Sequence, residues 1–419
     1  NDMNNYVENI AKNSKIAFKE LSNSSIDQRN SAIINISELI KKNSSSILDA
    51  NELDLKKAKE KNITGSFLDR LTLNKKRIDD MCNGLQDIAN LEDPLGIELE
   101  KWKRPNGLLI SKMSVPLGII GIIYESRPNV TIDAGSLCIK SGNASILRGG
   151  SDSFNSSKYL TELIQEGLNM ANLPKDSVQS INQTDRKLVT QMLQAINFID
   201  VIVPRGGKSL ISKIQKEARV PVFAHLEGIC HTFIDKDANL KLAKKVVLNA
   251  KLRNTAICGA TETILFHKKI IKKMINPILK NLEYHGCKII GDNETRKFYK
   301  GNILKANDKD WSKEYLSAIV SVKTVKDHNE AVKHINKYGT MHTDCIITQN
   351  NMTAKKFLTN IKSSIAMHNT STQFADGGEF GFGGEVGIST STLPPRGPVG
   401  LNQLVSYKYL VSSNGKIRK

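Results

Sequence analysis

The stretch Leu117-Gly118-Ile119-Ile120-Gly121-Ile122-Ile123-Tyr124 decides the fold. It is almost continuously apolar and rich in isoleucine, which is typical of a strand buried on both faces of a parallel sheet. Before it, residues 102–115 read as extended chain, interrupted by the turn signal Arg104-Pro105-Asn106-Gly107. The sequence therefore predicts a buried parallel strand that follows an extended arm.

Helices and strands alternate after this strand. The patterns predict a helix near 129–141, a strand at 144–147, a helix at 155–171, a strand near 177–181, a helix at 185–196 and a buried strand at 198–203. Such alternation indicates parallel βαβ units. We expect this region to be the first of two successive Rossmann-like α/β domains.

A second alternating unit begins near Ile229. Its predicted strands lie at 232–234, 261–266, 318–322 and 345–348, and its predicted helices at 238–251, 268–282 and 328–337. A last strand is predicted beyond this unit, at 406–411. The first hundred residues are predicted to be helical, because Ile33, Ile36 and Ile40 recur at helical spacing, and Ser25 is a predicted N-cap. Two α/β units suit a cofactor in one and chemistry in the other.

Composition bounds the class of protein. Of the 419 residues, 39% are hydrophobic and 24% are charged, and the formal net charge is +18. That charge favours a nucleic-acid-binding protein as an alternative, but aromatic residues are only 5% and no basic–aromatic stacking motif occurs. A positive field also attracts anionic substrates and phosphorylated cofactors.

The sequence shows no membrane or export signal. No run approaches the roughly 18 consecutive apolar residues of a membrane span, and the first residues lack the basic-then-apolar pattern of a secretory signal. We expect a cytoplasmic protein that binds neither membrane nor nucleic acid.

The cysteines do not predict a metal site or a disulfide framework. The six of them are widely spaced, at Cys82, Cys138, Cys230, Cys258, Cys287 and Cys345, and no CxxC pair occurs. Disulfide frameworks belong to short secreted domains. We therefore expect six reduced thiols and no metal.

Two loops that follow predicted strands are candidates for phosphate binding. Residues 203–209, Val-Pro-Arg-Gly-Gly-Lys-Ser, place glycines between a strand and a helix, where free amides and the positive helix end face an anion. A tight turn that merely needs glycine explains the pattern equally well. Arg148 follows another strand, where its planar fork suits a ribose phosphate, although a surface arginine is the commoner outcome.

Cys258 is the candidate nucleophile. It lies in a predicted loop between a helix and a strand, and a thiolate there can attack an acyl carbon to form a thioester. Taken alone, the residue type favours a thiol that simply packs. His225, His231 and His267 lie at no metal-ligand spacing, and Glu227 fits a general base or an exposed carboxylate equally well.

Taken together, several long segments resemble the gamma-glutamyl phosphate reductase family, also called glutamate-5-semialdehyde dehydrogenases, of the aldehyde dehydrogenase superfamily. The resemblance runs from about residue 5 to the C-terminus. Its most specific segments are residues 115–131, 141–150, 203–207, 249–263 and 376–381. The family implies an α/β fold of two Rossmann-like domains with a small β arm for oligomerisation.

The resemblance assigns roles to individual residues. Cys258 matches the catalytic nucleophile, and Asn129 is a candidate side-chain donor to the oxyanion. The cofactor would contact Arg148, Gly206, Gly207 and Ser209. Arg127 or Arg396 would hold the substrate's α-carboxylate as a bidentate partner.

The implied reaction is the NADPH-dependent reduction of gamma-glutamyl phosphate to glutamate 5-semialdehyde and phosphate, the second step of proline biosynthesis from glutamate. A glutamate 5-kinase would supply the labile substrate, and the enzyme would form homo-oligomers. The alternative within the superfamily is a hydrolytic or coenzyme A-acylating aldehyde dehydrogenase. The alternative from another class is a basic nucleic-acid-binding protein without catalysis.

The expected domains follow from this resemblance. They are N-terminal helices at 1–101, a β arm for oligomerisation at 102–115, a cofactor domain at 116–227, a catalytic domain at 228–390, and a C-terminal return with an oligomerisation strand at 391–419. The chain departs from the family in two places. Arg253-Asn254-Thr255 stands where Arg-Pro is usual, and Gly259 replaces a common Asn. The water-activating carboxylate of hydrolytic relatives aligns with His225 or Leu226.

Overall fold

A computed structural model describes residues 3–224 and 227–419, with side chains from Tyr6 onward. The alignment of a water activator with His225 or Leu226 lies outside the described residues. The chain divides into two compact units. The first holds Asn1–Phe223, Gly381–Gly387 and Val399–Lys419, and the second holds Ala224–Phe380 and Ile388–Pro398.

The regular elements of the described residues are numbered in chain order. The α-helices are α1 (Met3–Leu21), α2 (Ile26–Lys42), α3 (Ser44–Glu60), α4 (Gly65–Leu71), α5 (Lys75–Asn90), α6 (Pro128–Lys140), α7 (Phe154–Met170), α8 (Lys187–Leu193), α9 (Lys208–Glu217), α10 (Leu240–Leu252), α11 (Ile271–Tyr284), α12 (Asn293–Phe298), α13 (His328–Tyr338) and α14 (Asn351–Asn360). The strands are β1 (Glu98–Lys103), β2 (Leu109–Pro116), β3 (Ile119–Tyr124), β4 (Ala144–Arg148), β5 (Val178–Ser180), β6 (Val201–Arg205), β7 (Cys230–Ile234), β8 (Thr261–His267), β9 (Lys288–Gly291), β10 (Leu304–Lys305), β11 (Ile319–Val325), β12 (Thr343–Ile347), β13 (Ile365–His368), β14 (Gly387–Ser389), β15 (Gly397–Val399) and β16 (Val405–Ser412).

The core of the first unit is a parallel four-stranded sheet in the order β5-β4-β3-β6. Every residue of β3 is buried, and Ile122 pairs with Leu147 on one side and with Val203 on the other. All four strands are parallel, but β4 and β5 lie on one side of β3 while β6 lies on its other side. In open α/β sheets such a switch point opens a crevice at the carboxyl ends of the strands.

The N-terminal helices pack into the core of this unit through their apolar faces. The Ser25 side chain accepts a hydrogen bond from the Gln28 amide, which confirms the predicted N-cap of α2. Ile33, Ile36 and Ile40 on α2 are fully buried. Each such side chain contributes about 1.5–3 kcal/mol relative to exposure.

Buried Lys140 holds α6 to the end of α5. Its Nζ donates to the carbonyls of Ala89 (3.1 Å) and Leu91 (2.6 Å) and to Asn30 Oδ1 (2.6 Å). These carbonyls end a helix and would otherwise lack partners. Burial lowers the pKa of Lys140 to about 8.

The extended arm forms a separate antiparallel sheet in the order β1-β2-β16. The predicted segments at 102–115 and 406–411 thus meet in one sheet, as the resemblance implied. Its apolar side chains stay partly exposed in the single chain, and those of β16 include Tyr407, Tyr409, Leu410 and Val411.

The second unit is built on a parallel seven-stranded sheet in the order β10-β9-β11-β8-β7-β12-β13. Strands β7, β8 and β12 are entirely buried and lie side by side at its centre. None of the helices within the described ranges combines the length and apolarity needed to cross a bilayer.

The structure refines several predicted bounds. The strand predicted at 198–203 begins only at Val201, because the amides of Phe198 and Ile199 both donate to the Ala195 carbonyl in a turn. The predicted catalytic domain 228–390 includes Gly381–Gly387, which cluster with the first unit, and the second unit begins at Ala224. Elements β9, α12, α14 and β13 were not predicted.

Candidate functional site

A cavity of about 790 Å³ opens at the carboxyl ends of β3 and β4 in the first unit. Basic side chains outnumber acidic ones in its wall, and the basic ones are Arg70, Arg127, Arg148, Arg186 and Lys213. The acidic ones are Glu125 and Asp152. A cavity of this charge suits a ligand that carries several phosphate groups.

Arg148 ends β4 and is 8% exposed. One terminal nitrogen donates to the Gly149 carbonyl and the other to the Thr184 carbonyl (3.4 Å), while the buried Nε has no partner in the structure. Burial lowers the pKa of its guanidinium. A buried donor without a partner costs about 1–3 kcal/mol, which a bound anion or hydroxyl would recover.

Close backbone packing explains the glycines that follow Arg148. A Cβ on Gly150 would lie 2.4 Å from Ser126 Oγ, and one on Gly149 would lie 3.1 Å from the ring of Tyr124. The turn after β4 therefore accepts only glycine without rearrangement, and the cavity floor depends on it. The sequence motif 147–150 thus has a structural reason in addition to its proposed role.

The side-chain carboxylate of Glu125 lies at the start of α9. The Gly207 amide donates to Glu125 Oε1 (2.9 Å), and a Cβ on Gly206 would lie 2.8 Å from Glu125 Cγ. The loop therefore attracts negative charge, as free amides at a helix N-terminus do. A phosphate would bind the Gly207 amide only by displacing Glu125. Ser209, in the first turn of α9, is exposed and lines the cavity.

The other two predicted residues of the first unit lie at the start of α6. Arg127 is the N-cap residue and lines the cavity, and Asn129 is exposed in the first turn. Neither side chain is buried, so a ligand could contact both. Their roles toward the carboxylate and the oxyanion stay predictions.

Cys258 lies in the loop between α10 and β8 of the second unit. None of the six cysteines, all of which lie in the described residues, forms a disulfide, and Cys258 is partly exposed whereas the other five are buried. Burial raises the pKa of each buried thiol, namely Cys82, Cys138, Cys230, Cys287 and Cys345. Since the thiolate is the reactive form, those five are poor nucleophiles.

Gln373 fixes the loop that carries Cys258. Its Nε2 donates to the carbonyls of Ala250 (2.9 Å) and Asn254 (3.2 Å), and its Oε1 accepts from Arg253 Nε (2.7 Å). One buried amide thus joins the end of α10 to the turn before the thiol. Sequence reasoning missed it because Gln373 is 119 residues from Asn254.

The backbone of the Cys258 loop is closely packed. A Cβ on Gly228 would lie 2.0 Å from the Cys258 carbonyl oxygen, and one on Gly259 would lie 3.0 Å from the Thr372 carbonyl oxygen. Gly228 therefore must be glycine for the chain to pass at this distance. Gly259, which departs from the common Asn, avoids a tight contact here.

Buried charged side chains lie next to the Cys258 loop and to Gly228. Lys251 Nζ and Glu262 Oε1 form an ion pair at 2.9 Å, with both side chains almost fully buried, and burial raises the pKa of Glu262 against the opposing effect of Lys251. Glu314 accepts from the Gly228 amide, and burial raises the pKa of Glu314 to about 7. Glu227 is half-buried.

His342 is the residue that the sequence did not reveal. Its Nε2 lies 3.2 Å from Cys258 Sγ, and Nδ1 lies 2.7 Å from Thr343 Oγ1. The pair is separated by 84 residues, and no spacing pattern connects them. Its position three residues before the start of the predicted strand at 345–348 was the one available signal.

The thiol region lies at the amino ends of its strands. Cys258 precedes β8, His342 precedes β12, and Gly228 precedes β7, and these three strands are parallel neighbours. Predicted residue Arg396 also belongs to this unit, where its Nε donates to the Ser391 carbonyl (2.8 Å) and a terminal nitrogen donates to the Lys362 carbonyl (2.9 Å). Over residues 3–224 and 227–419, no cluster of His, Cys, Asp or Glu has the arrangement of a metal site.

Known proteins resemble this chain over its full length. The aldehyde dehydrogenase family matches residues 2–311 and 284–392. A gamma-glutamyl phosphate reductase from Brucella suis biovar 1 (strain 1330) is 48% identical over 418 residues, which is 100% of this chain and 99% of that protein.

Solved structures agree in fold. The crystal structure of gamma-glutamyl phosphate reductase from Thermotoga maritima has a TM-score of 0.96 at 42% identity, over 99% of this chain and 100% of that one. An engineered glycolyl-CoA reductase with bound NADP⁺ shares the fold, with a TM-score of 0.68 at 15% identity over 97% of this chain and 96% of that one. The predicted α/β fold of aldehyde dehydrogenase type is confirmed. The chain therefore belongs to the aldehyde dehydrogenase family and, within it, to the gamma-glutamyl phosphate reductases, which are oxidoreductases.

Proposed function

We propose that this protein reduces gamma-glutamyl phosphate to glutamate 5-semialdehyde and phosphate, with NADPH as the reductant, as the second step of proline biosynthesis. The observation that carries the proposal is the Cys258 thiol, which is partly exposed in a fixed loop while the other thiols are buried. A thiol of this kind divides acyl transfer and reduction into two easier steps.

The chemistry begins at Cys258. Its thiolate attacks the acyl carbon of gamma-glutamyl phosphate, phosphate leaves, and a glutamyl thioester remains on Sγ. The loop amides of Cys258 and Gly259 would stabilise the oxyanion, and Asn129 is the candidate side-chain donor. When bound, the nicotinamide cofactor supplies the hydride that reduces the thioester carbon. The thiohemiacetal then collapses, and Cys258 leaves again as the thiolate.

The first unit would hold the cofactor through its basic cavity. Arg148 Nε offers a buried donor without a partner, and Arg186 and Lys213 add charge to the same wall. Ser209 and the amides of Gly206 and Gly207 would contact the pyrophosphate once Glu125 has moved. Arg186 is exposed and lines the same cavity, where a contact between its guanidinium and a 2′-phosphate would favour NADP over NAD.

Two further roles concern the substrate. Arg127 or Arg396 would hold the substrate's α-carboxylate, and a glutamate 5-kinase would supply the labile acyl phosphate.

The antiparallel arm would serve self-association. The partly exposed tyrosines and aliphatic side chains of β16 would be covered by another copy of the chain. Light scattering of the purified protein tests this self-association, and a monomer would contradict it.

The reverse reaction tests the proposed activity. Purified protein is mixed with pyrroline-5-carboxylate, phosphate and NADP⁺, and formation of the reduced cofactor is followed by absorbance beside Cys258→Ser. We expect phosphate-dependent reduction that the variant lacks. Reduction that ignores phosphate but needs coenzyme A, or needs neither, indicates an acylating or hydrolytic relative. No reduction by folded protein contradicts the proposal.

A further inference from the structure

We propose that His342 is a further catalytic residue, which takes the proton of the Cys258 thiol and holds the resulting thiolate ready for attack. This inference rests on the proposed function, because it assigns a partner to the nucleophile of that reaction. Its basis is the distance of 3.2 Å from His342 Nε2 to Cys258 Sγ. An adjacent base is one of the recurring ways in which proteins activate a nucleophilic thiol.

The fold fixes the imidazole in this position. His342 is 1% exposed, and its carbonyl accepts a hydrogen bond from the Ile365 amide (3.0 Å) as β12 and β13 begin. Met341 has φ 63°, a left-handed conformation that is costly for a long side chain. Such local strain persists only where the surrounding structure over-determines it, and it aims the next side chain at the thiol.

We assign to His342 the tautomer in which Nδ1 carries the proton. Nδ1–H then donates to Thr343 Oγ1 at 2.7 Å, and Cys230 Sγ, which donates to the Cys258 carbonyl (3.2 Å), lies 3.6 Å from Nδ1. In this tautomer Nε2 is unprotonated and faces Sγ, which is the arrangement that accepts the thiol proton.

The proton balance of the reaction gives His342 a complete cycle. The thiol proton moves from Sγ to Nε2, and no electrons are transferred in that step. When phosphate leaves the acyl carbon, the imidazolium returns this proton to a phosphate oxygen. After reduction, the thiolate is released from the thiohemiacetal and takes up a proton from solvent by way of Nε2. The cycle thus consumes the one proton that reduction of an acyl phosphate requires.

Other titratable groups lie close to the pair and contribute to its pH dependence. These groups are Cys230 on β7, Glu262 on β8 with its partner Lys251 on α10, Asp344 on β12, and Glu314 beside Gly228. Asp344 is held by His231 (2.8 Å) and by Ser363. The carboxylates favour the imidazolium, whereas they oppose the thiolate, so the test must vary His342 itself.

Alkylation of Cys258 measures the proton transfer without substrate or cofactor. The rate of reaction with iodoacetamide is followed from pH 5 to 9, and the modified residue is identified by peptide mass. Because the other thiols are buried, Cys258 reacts first. We expect half-maximal reactivity well below the roughly 8.5 of an ordinary thiol. An ordinary thiol profile for the wild-type protein overturns the proposal, whatever the variants do.

His342→Gln keeps a polar atom beside Sγ but cannot accept its proton. We expect its alkylation rate at pH 6.5 to fall about tenfold or more, with the profile moved toward that of a free thiol. In His342→Ala, added imidazole should restore the rate. His267→Gln, a buried histidine at the other end of β8, is the matched control and should keep the wild-type profile.

The outcomes separate this proposal from the proposed function. A wild-type profile in His342→Gln, or no rescue by imidazole in folded His342→Ala, overturns the role of His342 while phosphate-dependent reduction can still hold. If the profile shifts as expected but wild-type protein shows no phosphate-dependent reduction, the activated thiol stands and the substrate assignment fails.

Discussion

The two candidate regions use opposite ends of their parallel strands. In the first unit the cavity, Arg148 and the glycine loop follow the carboxyl ends of β3, β4 and β6, whereas in the second unit Cys258 and His342 precede the amino ends of β8 and β12. Helices begin after the carboxyl ends, so amides and basic residues there create a field that suits phosphates. The thiol instead lies beside a side chain from another element, His342, whose Nε2 is 3.2 Å from Sγ.

Ligands of open α/β sheets generally bind at the carboxyl ends of the strands, and this rule locates the cofactor cavity here but not the candidate nucleophile. Backbone amides act on any anion, so their position alone is informative. A thiol needs a particular partner at hydrogen-bonding distance, and that partner comes from a distant part of the chain. The following predictions test whether the two regions are independent in this way.

Removal of the nucleophile should have the largest effect. We expect Cys258→Ala to lower kcat for phosphate-dependent reduction by at least about 10³-fold, since no other described thiol is exposed. NADPH binding, measured by quenching of intrinsic fluorescence, should be unchanged because the cavity belongs to the first unit. Cys287→Ala, a buried thiol of the same unit, is the control and should keep most of the activity. Loss of cofactor binding together with activity in Cys258→Ala would show that the regions are not independent.

The basic cavity should decide cofactor preference. We expect Arg186→Ala to raise KM for NADPH about 10- to 100-fold, the range of one charged hydrogen bond of about 1.5–3 kcal/mol, with KM for NADH nearly unchanged. Steady-state kinetics with both cofactors provide the measurement. Lys187→Ala changes an exposed neighbouring charge that does not line the cavity, so it should match wild type. Equal effects on NADPH and NADH would argue against a contact with the 2′-phosphate.

The loop support should matter less than the thiol itself. Gln373→Leu leaves the Ala250 and Asn254 carbonyls without their donor, and displacement of a nucleophile by a fraction of an ångström lowers its rate. We expect kcat to fall about tenfold while KM for NADPH is unchanged. A variant with wild-type kcat would mean that the loop is fixed by other contacts.

Glu314 should make stability depend on pH. Burial raises its pKa to about 7 in the folded protein, so between about pH 5 and 8 the folded state binds more protons than the unfolded state. Stability contributed by this group is therefore present at low pH and lost as pH rises. We expect Glu314→Gln to melt about 2–4 °C above wild type at pH 8 and close to it at pH 5.

Calorimetry at the two pH values measures this difference. Glu294→Gln changes an exposed carboxylate of the same unit and should give one small difference at both values. A Glu314→Gln variant whose midpoint differs equally at pH 5 and pH 8 would show that Glu314 is ionised in the folded protein over this range.

Sequence patterns predicted the central elements well, because burial imposes regular spacing on them. The run at 117–124 contains β3, the strand predicted at 261–266 is β8, and the helix predicted at 328–337 is α13. The missed pair β9 and α12 has only four and six residues, too few to establish a period. Helix α14 is mostly polar, with buried residues only at Ala354 and Phe357.

The candidate site divides in the same way. Local chain order and residue type made Cys258, Arg148 and the glycine loop candidates, and the resemblance to the family then assigned their roles. His342 and Gln373 could not, because their roles depend on contacts with residues 84 and 119 positions away that only the fold brings together. The hydrogen bond between the Gly207 amide and the Glu125 carboxylate was also unpredictable, because the two residues are 82 positions apart and follow different strands.

Direct observation of the acyl-enzyme tests the central claim most sharply. The protein is mixed with pyrroline-5-carboxylate and NADP⁺ without phosphate, quenched in acid and digested, and the peptide that contains Cys258 is weighed by mass spectrometry. Without phosphate to release it, the glutamyl thioester should accumulate on Cys258, and added phosphate before the quench should remove it. Formation of reduced cofactor with no acyl group on Cys258, or with the acyl group on another residue, would contradict the account.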